Sequence, residues 1–206
     1  FDRAGIFETM TIVLGLTGSI GMGKTTTASM FREQGIPVFD ADATVHALYQ
    51  SEAVDDIEAV FPGTRGTEGI DRKKLGSLVI GQPDKMRQLE AIIHPLVQAK
   101  RQDFIATHQA KKTPLIILDI PLLFETKAES LCDKVVVVTA HPDLQRKRVL
   151  ERGTMSEAQL EAILAKQIPD EEKRARADHL IETDHGLEAA RQQVQTLIDL
   201  FTGKTG

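Results

Sequence analysis

The feature that most constrains this chain is a glycine-rich turn between an apolar run and a helical pattern. Thr11 to Leu16 (TIVLGL) predicts a buried strand. Gly18-Ser19-Ile20-Gly21-Met22-Gly23-Lys24-Thr25 follows. A helix is predicted from about Lys24 to Gln34, with Gly35 placed to stop it. The turn fits the phosphate-loop pattern G-x-x-x-x-G-K-S/T. Glycines let the backbone curl into a nest of N–H groups around anionic oxygens, and the helix start adds its partial positive charge. Gly21, Met22, Gly23, Lys24, Thr25 and Thr26 are therefore the candidate nucleotide-binding residues. Lys24 reaches the β- and γ-phosphates as a point charge, and the Thr25 hydroxyl suits Mg²⁺.

A strand-turn-helix start leads to a search for further strands. Ile36 to Phe39 reads as the second, ending at Asp40-Ala41-Asp42. Leu115 to Leu118 (LIIL) and Lys134 to Thr139 (KVVVVT) are continuous apolar runs, suited to parallel strands covered on both faces. His179 to Glu182 is a weaker fifth strand, and a last helix runs from about Gly186 to Phe201. Strands alternating with helices imply an α/β fold with a parallel sheet. Ala43 to Lys112 differs: it reads as helical nearly throughout, without a convincing strand. Gly63, Gly66 and Gly69 mark a loop in it, and His94-Pro95 predicts a break or kink in a long helix. This block, taken as 43–112, reads as a helical insertion on the substrate side. Met10 directly precedes the first strand, so residues 1–9 read as a vector-derived leader.

Composition limits the partners. The 206 residues carry 25 Lys plus Arg against 30 Asp plus Glu, a net charge of −5. Such a balance argues against a general nucleic-acid binder, which carries a basic surface, but allows a small anionic substrate. The longest apolar stretch, Pro114 to Phe124, is interrupted by Asp119 and falls short of the roughly 20 residues of a membrane helix. The single cysteine, Cys132, forms no internal disulfide, which fits a reducing cytoplasm. No oligomer is implied, and a monomer is the simpler expectation.

The remaining candidates are polar residues at element ends. Asp119 closes the LIIL strand, placed to hold Mg²⁺ directly or through water; its plainer role is a helix cap or turn. Asp40 and Asp42 stand at the carboxyl end of the second strand, where ligands gather in open parallel sheets. One of them suits a base for a substrate hydroxyl, and capping of the following helix explains them equally well. Arg148 and Arg152 share a helix face and suit phosphate oxygens, although a solvated charged face is the commoner origin of such a pair. Lys173, Arg174 and Arg176 form a second basic run of the same kind. The six histidines form no metal-ligand spacing.

Beyond the phosphate loop, the chain resembles the dephospho-CoA kinase family over nearly all of Thr11 to Phe201. The resemblance rests on LTGSIGMGKTT (Leu16 to Thr26), FDAD (Phe39 to Asp42), IDRKKL (Ile70 to Leu75), LEAIIHPLV (Leu89 to Val97) and LDIPLLFE (Leu118 to Glu125). A Q-x-x-R-x-x-x-R pattern at Gln145, Arg148 and Arg152 completes it. What the resemblance implies is a P-loop NTPase fold, three layers α/β/α on a five-stranded parallel sheet. The core would span 10–42 and 113–206 and bind ATP with Mg²⁺. The insertion would bind dephospho-CoA, and a lid at about 148–176 would close over the phosphates. The reaction would place a phosphate on the ribose 3′-hydroxyl. Asp42 matches the family's base, and Arg148 and Arg152 match lid positions facing ATP phosphate. Asp40, His94, Leu123, Phe124 and Glu125 match substrate-side positions. The chain departs from the family at Ile80, where Phe is frequent, and at Asp184, where Asn is common. Two other readings stay in play. One is a different small-molecule kinase on the same core. The other is a nucleotide-dependent switch, for which the guanine tetrapeptide N-K-x-D is missing.

Overall fold

The computed structural model describes Met10 to Gly203, so the proposed leader lies outside the described residues. These residues divide into two compact units. The first holds the residues up to Phe39 and those from Thr107 on, and the second holds Asp40–Ala106.

In the first unit, β1 (Ile12–Thr17), β2 (Val38–Asp40), β5 (Leu115–Asp119), β6 (Lys134–Thr139) and β7 (His179–Glu182) form one parallel sheet in the order β2-β5-β1-β6-β7. β1 is central, with Ile12 opposite Leu115 and Leu16 opposite Asp119 on one side, and Thr17 opposite Val137 on the other. This register sets the carboxyl ends of β1 and β5 side by side. The four valines of β6 are buried alternately on both faces. Val136 and Val138 join Leu14, Leu16, Ile117 and Phe31 beneath α1 (Lys24–Glu33) and α9 (Gly186–Thr202). Val135 and Val137 pack with Leu123 and Phe124 on the other face. This unit also holds a 3-10 turn at Ala128–Leu131 and the helices α6 (Pro142–Glu151), α7 (Glu157–Leu164) and α8 (Asp170–Arg176).

β2 begins two residues later than the apolar run suggests. The Ile36 N–H is drawn back to Phe31 O at 3.1 Å and the Gly35 N–H to Arg32 O at 2.9 Å, closing α1 with Gly35 at φ 74°. Pro37 then has no N–H to offer a sheet.

The second unit contains α2 (Ala41–Leu48), α3 (Val54–Val60), β3 (Arg65–Gly66), β4 (Gly69–Ile70), α4 (Arg72–Val79) and most of α5 (Pro83–Ala110). Its core gathers Leu48, Ile57, Phe61, Leu75, Leu89 and Ile93. Two expectations fail here. First, the glycine-marked loop contains a small antiparallel hairpin, with Arg65 opposite Ile70 and Gly66 opposite Gly69. The Glu58 carboxylate gathers its approach, accepting the N–H groups of Gly63 and Arg65, each at 2.7 Å. Second, of the break or kink expected at His94-Pro95, the break does not occur: α5 runs 28 residues through it. Pro95 is exposed, and so is Ala91, the residue whose carbonyl it deprives of a partner. Buried Leu89 and Ile93, with Leu96 and Val97 packed behind them, hold the helix on both sides of it.

Gly69 has φ 120°, and an added Cβ would stand 2.7 Å from Gln50 Cα and closer still to Tyr49 O. Gly69→Ala is expected to lower stability by about 1–3 kcal/mol. Urea unfolding checks this, and an unchanged midpoint would remove the steric argument.

Candidate nucleotide site

The loop between β1 and α1 is curled by Gly21 at φ 79° and Gly23 at φ 98°. Gly23 is the N-cap of α1, no side chain caps that helix, and its first turn carries no acid. The N–H groups at the helix start have no intrahelical acceptor, so the curl and the helix dipole present an anion-binding mouth. Lys24 opens the helix, and its Nζ meets Asp119 Oδ1 at 2.5 Å. The Asp119 side chain is almost fully buried and that of Lys24 largely so. The β1–β5 register makes this pair possible, because Asp119 lies beside the strand end from which the loop departs. Thr25 and Thr26 are exposed in the first turn.

The loop is braced from behind. Gln145 Nε2 donates to Ile20 O at 2.6 Å. Thr183 Oγ1 donates to Met22 O at 2.8 Å, and Arg148 donates twice to Thr183, to Oγ1 and to O, each at 2.7 Å. Buried Met22 accepts the Ala140 N–H on its sulfur at 3.1 Å. The Q-x-x-R-x-x-x-R pattern therefore divides its labour. Gln145 and Arg148 support the loop, whereas Arg152 is exposed. Arg148 and Arg152 both border a cavity of about 390 Å³ beside the loop, with Gly23, Thr26, Met30 and Leu187. Asp184, read as a departure from the family, accepts the His141 N–H at 2.6 Å.

The PLLFE segment after β5 is mostly inward. Leu123 has no exposed surface and packs against the bare backbone of Gly15. Phe124 is buried, with the Arg176 guanidinium 4.3 Å from its ring centroid. Glu125 Oε1 accepts the Ile168 N–H at 3.0 Å and meets the Lys173 ammonium at 2.9 Å. Burial alone would raise the Glu125 pKa, but hydrogen bonds from Lys173 and the Ile168 N–H outweigh it and hold the carboxyl below its ordinary 4.5. Lys173 read as part of a solvated basic run, yet it is fully buried. A charge pattern such as DEEKRAR carries no signal for that.

In the second unit, Asp40 is the N-cap of α2 and accepts the Ala43 N–H at 2.9 Å. Asp42 is exposed in the first turn of the same helix, and His94 is exposed on α5. Among the described residues no group of three or more His, Cys, Asp or Glu stands ready to hold a metal. No helix among them is long and apolar enough to cross a membrane.

Comparison with known proteins adds to this geometry. The family described as dephospho-CoA kinase matches residues 12–189. A dephospho-CoA kinase of Bradyrhizobium diazoefficiens is 56% identical over 186 residues, 90% of this chain and 94% of its own. A crystal structure from Thermus thermophilus has a TM-score of 0.80 at 31% identity, covering 96% of this chain and 100% of that one. The dephospho-CoA kinase from Campylobacter jejuni has a TM-score of 0.69 at 27% identity, covering 94% and 99%.

The Glu125–Lys173 pair sets a pH dependence. Folded Glu125 holds its proton less tightly than the unfolded chain does, so its contribution is complete above the unfolded value and is lost as pH falls through the folded one. Thermal midpoints of the wild type should therefore drop more steeply below about pH 4.5 than those of Glu125→Gln. Parallel slopes for the two proteins would dismiss the linkage.

Proposed function

The chain belongs to the dephospho-CoA kinase family and transfers the γ-phosphate of ATP to the ribose 3′-hydroxyl of dephospho-CoA; from that premise we propose how its residues share the reaction. The family match over residues 12–189 carries the assignment, and the Lys24–Asp119 pair at the mouth of an uncapped helix supports the phosphate-binding role of the loop. Phosphoryl transfer has a loose transition state, so the protein contributes positioning and charge neutralisation more than covalent chemistry.

Backbone N–H groups from Gly21 to Thr26 hold the β-phosphate. Lys24 exchanges Asp119 for the β- and γ-phosphate oxygens. The adenosine part of ATP takes the cavity beside Gly23, with Met30 and Leu187 as apolar surface and Arg148 and Arg152 at its polar side. Arg152, being exposed, is free to turn toward phosphate, whereas Arg148 serves mainly by holding Thr183 against the loop. The Thr25 hydroxyl and the Asp119 carboxylate are hard oxygen donors of the kind that would hold Mg²⁺. Mg²⁺ bound there would supply neutralisation of the phosphate charge.

On the acceptor side, Asp42 orients the 3′-hydroxyl and takes its proton. Asp40 contributes by capping the helix turn that carries Asp42. His94 serves the acceptor as an exposed polar contact on α5. Leu123, Phe124 and Glu125, matched to substrate-side positions by the resemblance, act as supports of their own unit, since their side chains are committed to the core and to Lys173. Residues 43–112 form the acceptor-binding insertion. The lid of 148–176 has a loose and a fixed part. α7 is anchored by the buried side chain of Leu160 and by exposed ion pairs of Arg146 with Glu157 and Glu161, which add little, while α8 is fastened by the ion pair of buried Lys173. Closure therefore belongs to α7 and its flanking loops. The enzyme works as a cytoplasmic monomer on small molecules, without nucleic acid or membrane.

The direct test is ADP release from Mg-ATP with and without dephospho-CoA, with the product weighed by mass spectrometry. Stimulated release and a product one phosphate heavier are expected; release without a phosphorylated acceptor would refute the assignment. Lys24→Ala should lower kcat/KM about a hundredfold to a thousandfold. Near-normal turnover would dismiss its role. Asp42→Asn should lower kcat at least about a hundredfold with ATP affinity kept. A change confined to the KM for dephospho-CoA would make Asp42 a binding residue instead.

A further inference from the structure

Two polar links join the phosphate loop to the stretch from the last residue of β5 to Glu125, one at each end of both. At the helix end, Lys24 meets Asp119. At the strand end, the Lys173 ammonium donates to Ser19 Oγ at 3.2 Å and meets Glu125 Oε1 at 2.9 Å. The links therefore close a ring that runs through residues 19–24 and 119–125. Ser19 is 5% exposed and Lys173 is 0% exposed. Because Glu125 also receives the Ile168 N–H, the ring is fastened to the approach of α8 as well.

A buried ammonium is a poor device for stability alone. Desolvation costs several kcal/mol per ion, and apolar residues of similar volume often serve as well or better. What this ion has that an apolar residue lacks is two polar partners on separate elements. The links also differ in exchangeability. A triphosphate competes with Asp119 for Lys24, since both are anionic oxygens within reach of one mobile amine. Nothing of the kind reaches Lys173, which solvent does not touch.

We propose that Lys173 is a positioning residue for phosphoryl transfer, holding Ser19 and Glu125 in register so that the loop keeps its spacing from the post-β5 segment while Lys24 changes partners. The proposal rests on the phosphoryl-transfer reading of the loop. The Lys24–Asp119 link is the exchangeable half of the ring and Lys173 the permanent half. Ser19 is the point at which the permanent half grips the loop, so loss of its hydroxyl removes that grip and leaves the ion pair intact.

The test uses the full chain with Mg-ATP and dephospho-CoA, reading kcat, both KM values and the thermal midpoint for Ser19→Ala, Lys173→Met and their double variant. Ser19→Ala is expected to lower kcat about three- to tenfold, with the KM for dephospho-CoA within about twofold and the midpoint nearly unmoved. Lys173→Met is expected to lower kcat further. The double variant should be no worse than Lys173→Met alone, because both act through one link. Should Lys173→Met fail to fold, Lys173→Arg crossed with Ser19→Ala gives the same cycle. Wild-type kcat in Ser19→Ala, or losses that multiply in the double variant, would overturn the proposal. A wild-type chain lacking dephospho-CoA-dependent turnover would instead overturn the reading beneath it, so the two failures are distinct.

Discussion

The structure of the first unit depends on holding a short backbone in an unfavourable curl. A loop that turns its N–H groups toward an anion turns its carbonyls inward, and those carbonyls need donors. Here the donors come from far along the chain: Gln145 for Ile20 and Thr183 for Met22. The Lys173 ammonium steadies Ser19, and the Met22 sulfur takes a backbone N–H from the end of β6. The shape of the loop is thus set by its surroundings as much as by its glycines. The sheet order follows the same need, with β1 central and the carboxyl ends of β5, β6 and β7 close enough to supply partners.

Electrostatics divides the charged residues into groups that reach outward and groups that hold. Arg152 is exposed beside a cavity, and Asp42 is exposed on its helix turn. Arg148, Lys173, Glu125 and Asp40 spend their charge on the protein itself. The sequence alone cannot separate the groups, because an arginine for a phosphate and an arginine for a carbonyl look alike. Their neighbours in space decide, and those neighbours lie 35 residues away for Arg148 and 154 for Lys173.

Legibility follows the same line. Local patterns with strong physics were readable. The β6 and β7 runs coincide with their strands, α1 starts at Lys24, and Gly35 ends it as placed. The position of Asp119 at the end of β5 was readable from the apolar run before it. Three things were not. The β3–β4 hairpin is two residues a side, too short for an alternation to register. Pro95 obeys the usual rule only where its lost hydrogen bond is buried, and burial is a tertiary property. The inward turn of Leu123 and the burial of Lys173 depend on Gly15 and Ser19, distant positions that no window along the chain contains.

The brace that Thr183 gives to Met22 carries a consequence for how the molecule comes into being. A ribosome releases the loop 161 residues ahead of the Thr183 that braces it. β1 also finds its two sheet neighbours only after the whole second unit has emerged. The glycine-rich loop is therefore made before its braces and organised late. A growing chain carries an unshaped glycine-rich stretch until β7 docks, and the loop takes its braced shape only then. The long sequence separation of these contacts places the first unit among slowly nucleating topologies.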